Sequence, residues 1–146
     1  VTSPLDDPLI TTVGRLMEAA SRLQRSLGQA LESRAGVPLS WFEVLLRLSR
    51  STDRQQAMGV LAEQLVLTTG GMTRLVDRMQ AAGLVDRKPC PTDRRILYAH
   101  LTDAGLAKLE QAAVVHCDEV EQVFDGFAPH EVAALDHMLD RLRGVS

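Results

Sequence analysis

Two apolar seams constrain this chain more than any other feature. Leu9, Val13, Leu16, Ala20, Leu23, Leu27 and Ala30 follow one another at spacings of four and three. Leu106, Leu109, Ala113, His116, Val120, Val123 and Phe127 do the same near the other end. That period sets each group along one side of a long helix. The short segment between them is too small a module to cover both seams, so their simplest partner is a second copy of the chain, two-fold homodimers being the commonest oligomers. The expected class is mainly α. Aromatic residues make up only 3% of the sequence, fewer than a β-sandwich would want, while Ala, Leu, Arg and Glu favour helices.

Punctuation along the chain divides it further. Gly36, Val37 and Pro38 end the first long helix. A second is expected to open at Ser40 with a capping box closed by Glu43, with Trp41, Leu45 and Leu48 facing inward, and the polar stretch from Ser49 to Gln56 reads as a loop. Two short helices follow between Met58 and Gly83. The first holds Leu61, Ala62 and Leu65; the second is capped by Thr68, turns Met72, Leu75, Val76 and Met79 inward, and stops at Gly83. Leu84–Lys88 and Ile96–Leu101 read as two strands joined by the proline-stiffened tip Pro89–Arg95. Thr102 caps the second long helix with Asp103 in its first turn. Pro129 sits at the start of a last helix carrying Val132, Leu135, Leu139 and Leu142.

Charge follows these divisions. The chain carries a net charge of -3, with residues 1–65 neutral, 66–100 at +3 and 101–146 at -6. A basic middle between neutral and acidic ends suits a segment that meets an anion. The order of elements there, two short helices and then a hairpin, is that of a winged helix-turn-helix. Its second helix suits the major groove, which at roughly 12 Å wide admits one α-helix. Thr68 and Thr69 offer hydroxyls and amides to phosphate. Gly70 and Gly71 let a backbone come close, although they also read as poor helix residues at a frayed end. Thr73 and Arg74 lie within reach of base edges, and Arg78 and Arg87 suit phosphates. Asp93, Arg94 and Arg95 at the hairpin tip suit the minor groove, with Asp93 holding the tip through local backbone or a neighbouring arginine. A charged tip kept only for solubility is the plainer alternative. The expected division is a helical dimerisation region, residues 1–38 and 102–146, around a winged helix-turn-helix DNA-binding lobe, residues 39–101.

Five short runs carry a family resemblance. They are Leu61-Ala62-Glu63-Gln64-Leu65, Thr73-Arg74-Leu75-Val76-Asp77-Arg78-Met79, Gly83-Leu84-Val85-Asp86-Arg87, Asp93-Arg94-Arg95 and Leu101-Thr102-Asp103-Ala104-Gly105. In order and spacing they resemble the MarR family of bacterial transcriptional regulators over about residues 58–106. The resemblance implies a dimeric winged-helix repressor or activator with interlocked terminal helices, acting on near-palindromic double-stranded DNA. It implies a recognition helix over Thr68–Met79 in the major groove, and a wing Asp-x-Arg, here Asp93 and Arg95, in the minor groove. One position departs from the pattern: where such regulators often have glycine after the first helix of the motif, this chain has Val66. A β-branched residue in the left-handed region is strained, so the turn is expected to differ slightly.

Many members of that family respond to small aromatic or anionic effectors held between the dimerisation helices and the DNA-binding lobe. Resemblance alone suggests the same here, with Arg15, Trp41 and His116 as candidate pocket residues, although Trp41 and His116 also read as core or interface. His116 and Cys117 are adjacent on a helix and do not face one point, so no metal site is expected. Cys90, between two prolines and near Lys88, Arg94 and Arg95, has a setting that lowers a thiol pKa and exposes it to oxidants, which leaves a redox-sensing regulator as an alternative. A winged-helix dimer serving as a protein-interaction module is another. No catalytic constellation and no cofactor-binding loop can be assembled from local motifs. No apolar run approaches 18 residues and the N-terminal stretch has no signal-peptide pattern. The cysteines fit a reducing compartment, so a cytoplasmic, nucleoid-associated protein is expected.

Overall fold

The computed structural model describes residues 2–144. Six helices and three strands follow in the order α1 (Pro8–Ala35), α2 (Leu39–Ser49), β1 (Gln55–Ala57), α3 (Met58–Gln64), α4 (Thr69–Ala81), β2 (Val85–Pro89), β3 (Leu97–Leu101), α5 (Asp103–Val123) and α6 (Pro129–Arg143). Residues within a turn of each helix end set where the helices start and stop. Asp7 caps α1 through its carboxylate, with Pro8 at the first helical position, and Gly36 ends the helix at φ 68°, where a side chain would be strained. Thr102 Oγ1 accepts from Gly105 N at 2.9 Å at the head of α5.

Three expectations need correction. The N-cap of α2 lies two residues earlier than expected, at Pro38 with no side-chain hydrogen bond there, so Ser40 and Glu43 form no capping box. Pro38 instead accepts the amides of Trp41 and Phe42 on its carbonyl. Phe42, Val44, Leu45 and Leu48 are buried, whereas Trp41 is only half-buried against them. The second correction is a third strand. Gln55–Ala57, whose first two residues were expected to end a loop, pairs antiparallel with β3 in the register Gln55↔His100, Gln56↔Ala99 and Ala57↔Tyr98. The sheet order is β1-β3-β2, so β3 is central and the wing hairpin is anchored on its inner side. Such a strand has no apolar alternation to announce it. It forms because an edge of β3 would otherwise lie unpaired.

The third concerns α5. Its buried stripe is Gly105, Leu109, Ala112 and Val115, rotated from the expected seam, whose Leu106, Ala113 and His116 are half-buried alongside. Gly105 permits that rotation. A Cβ there would lie 2.1 Å from the carbonyl oxygen of Leu84, so the first turn of α5 rests directly on the backbone between α4 and β2. The joint is bonded on both sides of that contact: Thr102 N donates to Leu84 O at 3.2 Å, and Thr102 Oγ1 donates to Gly83 O at 2.7 Å.

One core runs through both parts of the chain. Leu31 of α1, Leu45 and Leu48 of α2, Leu61 of α3, Met72 and Met79 of α4, and Leu101 of β3 are all fully buried. Each such side chain contributes roughly 1.5–3 kcal/mol by leaving water. The N-terminal half of α1 has no such cover. Leu9, Ile10, Val13 and Met17 are exposed there, as are Met138, Leu139 and Leu142 on α6. Among the described residues, no helix is long and apolar enough to cross a membrane.

Candidate nucleic-acid interface

Helices α3 and α4 meet at a turn with a demanding backbone. Leu67 N donates to Ala62 O at 2.8 Å and Val66 N to Glu63 O at 3.2 Å, the paired bonds of a Schellman ending. That ending needs a left-handed residue at Val66, and Val66 adopts it, with φ 54°. The turn therefore does not shift to spare the valine, contrary to expectation. Its hydrogen bonds and the seating of Leu61 and Ala62 outweigh a strain of about 1–2 kcal/mol. The valine side chain gains nothing visible in return, being 90% exposed.

Immediately after the turn, Thr68 caps α4, its hydroxyl accepting from Gly71 N at 3.0 Å. A Cβ on Gly71 would press to 3.1 Å from that hydroxyl, whereas one on Gly70 would meet only the flexible end of Arg74. Gly71 thus makes room for the cap, and Gly70 leaves an open backbone. Met72, Leu75, Val76 and Met79 face the core. Thr68, Thr69, Gly70, Thr73, Arg74 and Arg78 lie on the exposed side. Thr73 bonds its hydroxyl to Thr69 O at 3.0 Å.

Arg87 has a different task from the phosphate contact expected of it. From β2 it reaches back to α4, donating to Gln80 Oε1 at 2.5 Å, to Thr73 O at 3.1 Å and to Asp77 Oδ1 at 2.7 Å. With three acceptors on one helix and a side chain only 20% exposed, its guanidinium ties the hairpin to α4. Spacing along the sequence gave no signal of this, because Arg87 and Thr73 are fourteen residues apart.

At the hairpin tip Asp93 accepts from the backbone N of Arg95 at 3.0 Å, from its Nε at 3.1 Å and from its Nη2 at 3.1 Å. The carboxylate thus grips both backbone and side chain. Hydrogen bonds from the Arg95 side chain, then from its amide, hold the Asp93 pKa below the ordinary carboxylate value. The Arg95 side chain is nonetheless 90% exposed, so it is oriented and presented to solvent together. Arg94 is exposed beside it.

Cys90 lies under the tip and is buried, which corrects the expectation of an exposed thiol. Its pKa is lowered to about 7, and the cause is not the nearby cations: hydrogen bonds from the side chain and backbone of Thr92 come first, then the Tyr98 hydroxyl and the Asp93 amide. Thr92 Oγ1 lies 3.3 Å and the Tyr98 hydroxyl 3.7 Å from the sulfur. Among the described residues no group of three or more His, Cys, Asp or Glu is placed to hold a metal ion.

The residues expected to line an effector pocket do not come together within one protomer. Arg15 is exposed on the uncovered half of α1, Trp41 leans on the core, and His116 stacks on Phe42 with ring centroids 4.5 Å apart. Burial lowers the His116 pKa. The reason for the separation is that α1 packs on its own lobe through Leu31 and Ala35, far down the helix from Arg15. A cavity of about 820 Å³ lies elsewhere, between α1, α2, the segment before β1 and the end of α6, with Glu43, Arg47, Arg50, Gln55 and Arg143 in its walls. Burial raises the Glu43 pKa against the opposing pull of Arg47.

Comparison with known proteins places this geometry in context. The MarR family model matches residues 35–96. Over 131 residues the chain is 28% identical to the HTH-type transcriptional regulator MhqR of Bacillus subtilis, covering 88% of this chain and 89% of that protein. Sco3205, a MarR family transcriptional regulator from Streptomyces coelicolor solved in complex with DNA, is 30% identical with a TM-score of 0.84, covering 98% of this chain and 89% of that one. A mutant of Escherichia coli MarR complexed with operator DNA superimposes with a TM-score of 0.79 at 26% identity, over 97% of this chain and 99% of that one.

Proposed function

This chain belongs to the MarR family of transcriptional regulators, and from that premise we propose that it binds a near-palindromic operator as a homodimer, through α4 in the major groove and Arg95 in the minor groove. The observation that carries this reading is the Arg87 clamp. It joins the exposed face of α4 and the exposed, pre-oriented Arg95 into one unit presented by one lobe. Thr73 and Arg74 take the base edges. Thr68, Thr69, Arg78 and Arg94 take phosphates, with Gly70 leaving the backbone open for close approach. In this reading residues 39–101 are the DNA-binding lobe and the flanking helices, residues 1–38 and 102–146, are the dimerisation region.

The uncovered apolar faces of α1 and α6 supply the dimer contact. Val13→Glu places a charge in that face and is expected to raise the dimer dissociation constant about tenfold or more. Analytical ultracentrifugation at micromolar protein reads it, and an unchanged dimer would move the interface elsewhere. Two lobes held this way must match half-sites about 34–36 Å apart. An effector acts only by binding one spacing better than another. For a small anion, the cavity with Arg47 and Arg50 in its walls is the better candidate than the dispersed Arg15, Trp41 and His116.

The deciding experiment titrates the protein into fluorescent duplex taken from upstream of its own gene, beside a scrambled duplex, at several salt concentrations. The expected result is preference for the native duplex at two protomers per site, with log affinity falling against log salt by about 0.9 per phosphate contact. Equal and weak binding to both duplexes would count against an operator there.

A further inference from the structure

We propose that Val66 reads the operator directly, its isopropyl group seating against the 5-methyl group of a thymine in each half-site. The inference rests on the DNA-binding reading above and adds a contact that the α4 and wing residues do not make.

Three observations carry it. Val66 occupies a left-handed position at φ 54°, where glycine would be unstrained and where a β-branched side chain is the least suited of all. Strain of this kind persists where the residue has a use, and within the protomer Val66 has none, since 90% of it is exposed. Second, its place is fixed and not pliable: the bonds from Leu67 N to Ala62 O and from Val66 N to Glu63 O hold the turn at both ends. Third, it stands two residues before Thr68, the N-cap of α4. The Thr68 hydroxyl is committed to Gly71 N, and Leu67 beside it is also exposed. The turn just ahead of the recognition helix therefore offers two exposed apolar side chains. In the major groove the apolar group available to meet them is the thymine methyl.

Glycine and uracil test this as a pair, each deleting one side of the contact. Operator duplexes are first selected from a random pool with the wild-type protein. Each thymine of a half-site is then replaced by uracil, which removes the methyl and nothing else. Wild type is expected to lose about fourfold in affinity at one such position, the effect of one buried methyl-sized group. Val66→Gly is expected to lose about as much on the unmodified duplex, to be insensitive to uracil at that position, and to melt at a higher temperature than wild type because the turn is relieved. Val66→Ala, which keeps the backbone strain while removing two methyl groups, should follow Val66→Gly in affinity. A selected operator that Val66→Gly binds as tightly as wild type, with the same response to uracil, would overturn the contact and leave the DNA-binding reading intact. Failure to select any duplex would remove both.

Discussion

Alanine at position 105 is expected to destabilise the protein by about 3 kcal/mol, the upper end for an overpacking substitution, and to lower Tm by about 6–12 °C. Helix propensity argues the other way, since alanine is favoured over glycine inside a helix by about 1 kcal/mol. The geometry decides the sign. The new Cβ would stand 2.1 Å from the Leu84 carbonyl oxygen and 2.8 Å from a Leu101 methyl. A carbonyl held by Thr102 N has no flexible end to swing aside, so α5 would have to lift from the lobe and strip the Thr102 bonds as it went. Gly59→Ala is the internal control. It lies in α3 with nothing within 4 Å of its added Cβ, so propensity alone governs it and a small gain in Tm is expected. Thermal unfolding followed by far-UV circular dichroism separates the two. Equal melting of Gly105→Ala and wild type would mean that the joint is loose.

Arg95→Ala is expected to weaken operator binding by about ten- to a hundredfold, the equivalent of 1–3 kcal/mol for a specific groove contact, while leaving helix content and dimer mass unchanged. The second half of that expectation follows from exposure. Arg95 is paired with Asp93 alone and is 90% exposed, so its removal uncovers no core. Asp93→Ala should cost less than Arg95→Ala, because the charge stays and only its orientation is lost. Arg87→Ala should differ from both in lowering Tm as well as affinity, since its guanidinium holds Asp77, Gln80 and the Thr73 carbonyl. Fluorescence anisotropy at two salt concentrations, beside a melting curve for each variant, reads the set. Full affinity in Arg95→Ala would take the wing out of DNA recognition.

The parts of this structure legible in the sequence are those governed by neighbours in the chain. Gly36, Thr68, Gly83, Thr102 and Pro129 stop or start helices through residues within one turn of themselves, and all five do so here. What was misread depends on distant partners. Gln55–Ala57 becomes a strand because β3 lies beside it, forty-five residues on at the Gln55↔His100 pair. Arg87 looked free because Thr73, Asp77 and Gln80 are brought to it by the fold. Gly105 was visible as a motif letter, but only the Leu84 carbonyl explains why no side chain fits. Ser40 shows the reverse error, a cap-forming residue displaced because Pro38 ends the preceding extended stretch and α2 begins at once behind it. Val66 shows a local rule overridden. The steric preference is real, and two backbone bonds outweigh it.

In the proposed operator complex, the clamp between hairpin and helix would make α4 and the tip behave as a fixed gauge. With α4 tied to β2 by Arg87, and β2 continuous with the tip that carries Arg95, helix and tip cannot adjust separately to a stretched or shortened site. Inserting one base pair between half-sites displaces them by about 3.4 Å and turns one relative to the other. A pliable head would absorb part of that mismatch; a fixed one passes all of it to the joint at Thr102 and Gly105 and on to the helices beyond. On the proposed reading, spacer length then becomes as much a part of the recognised sequence as the bases themselves.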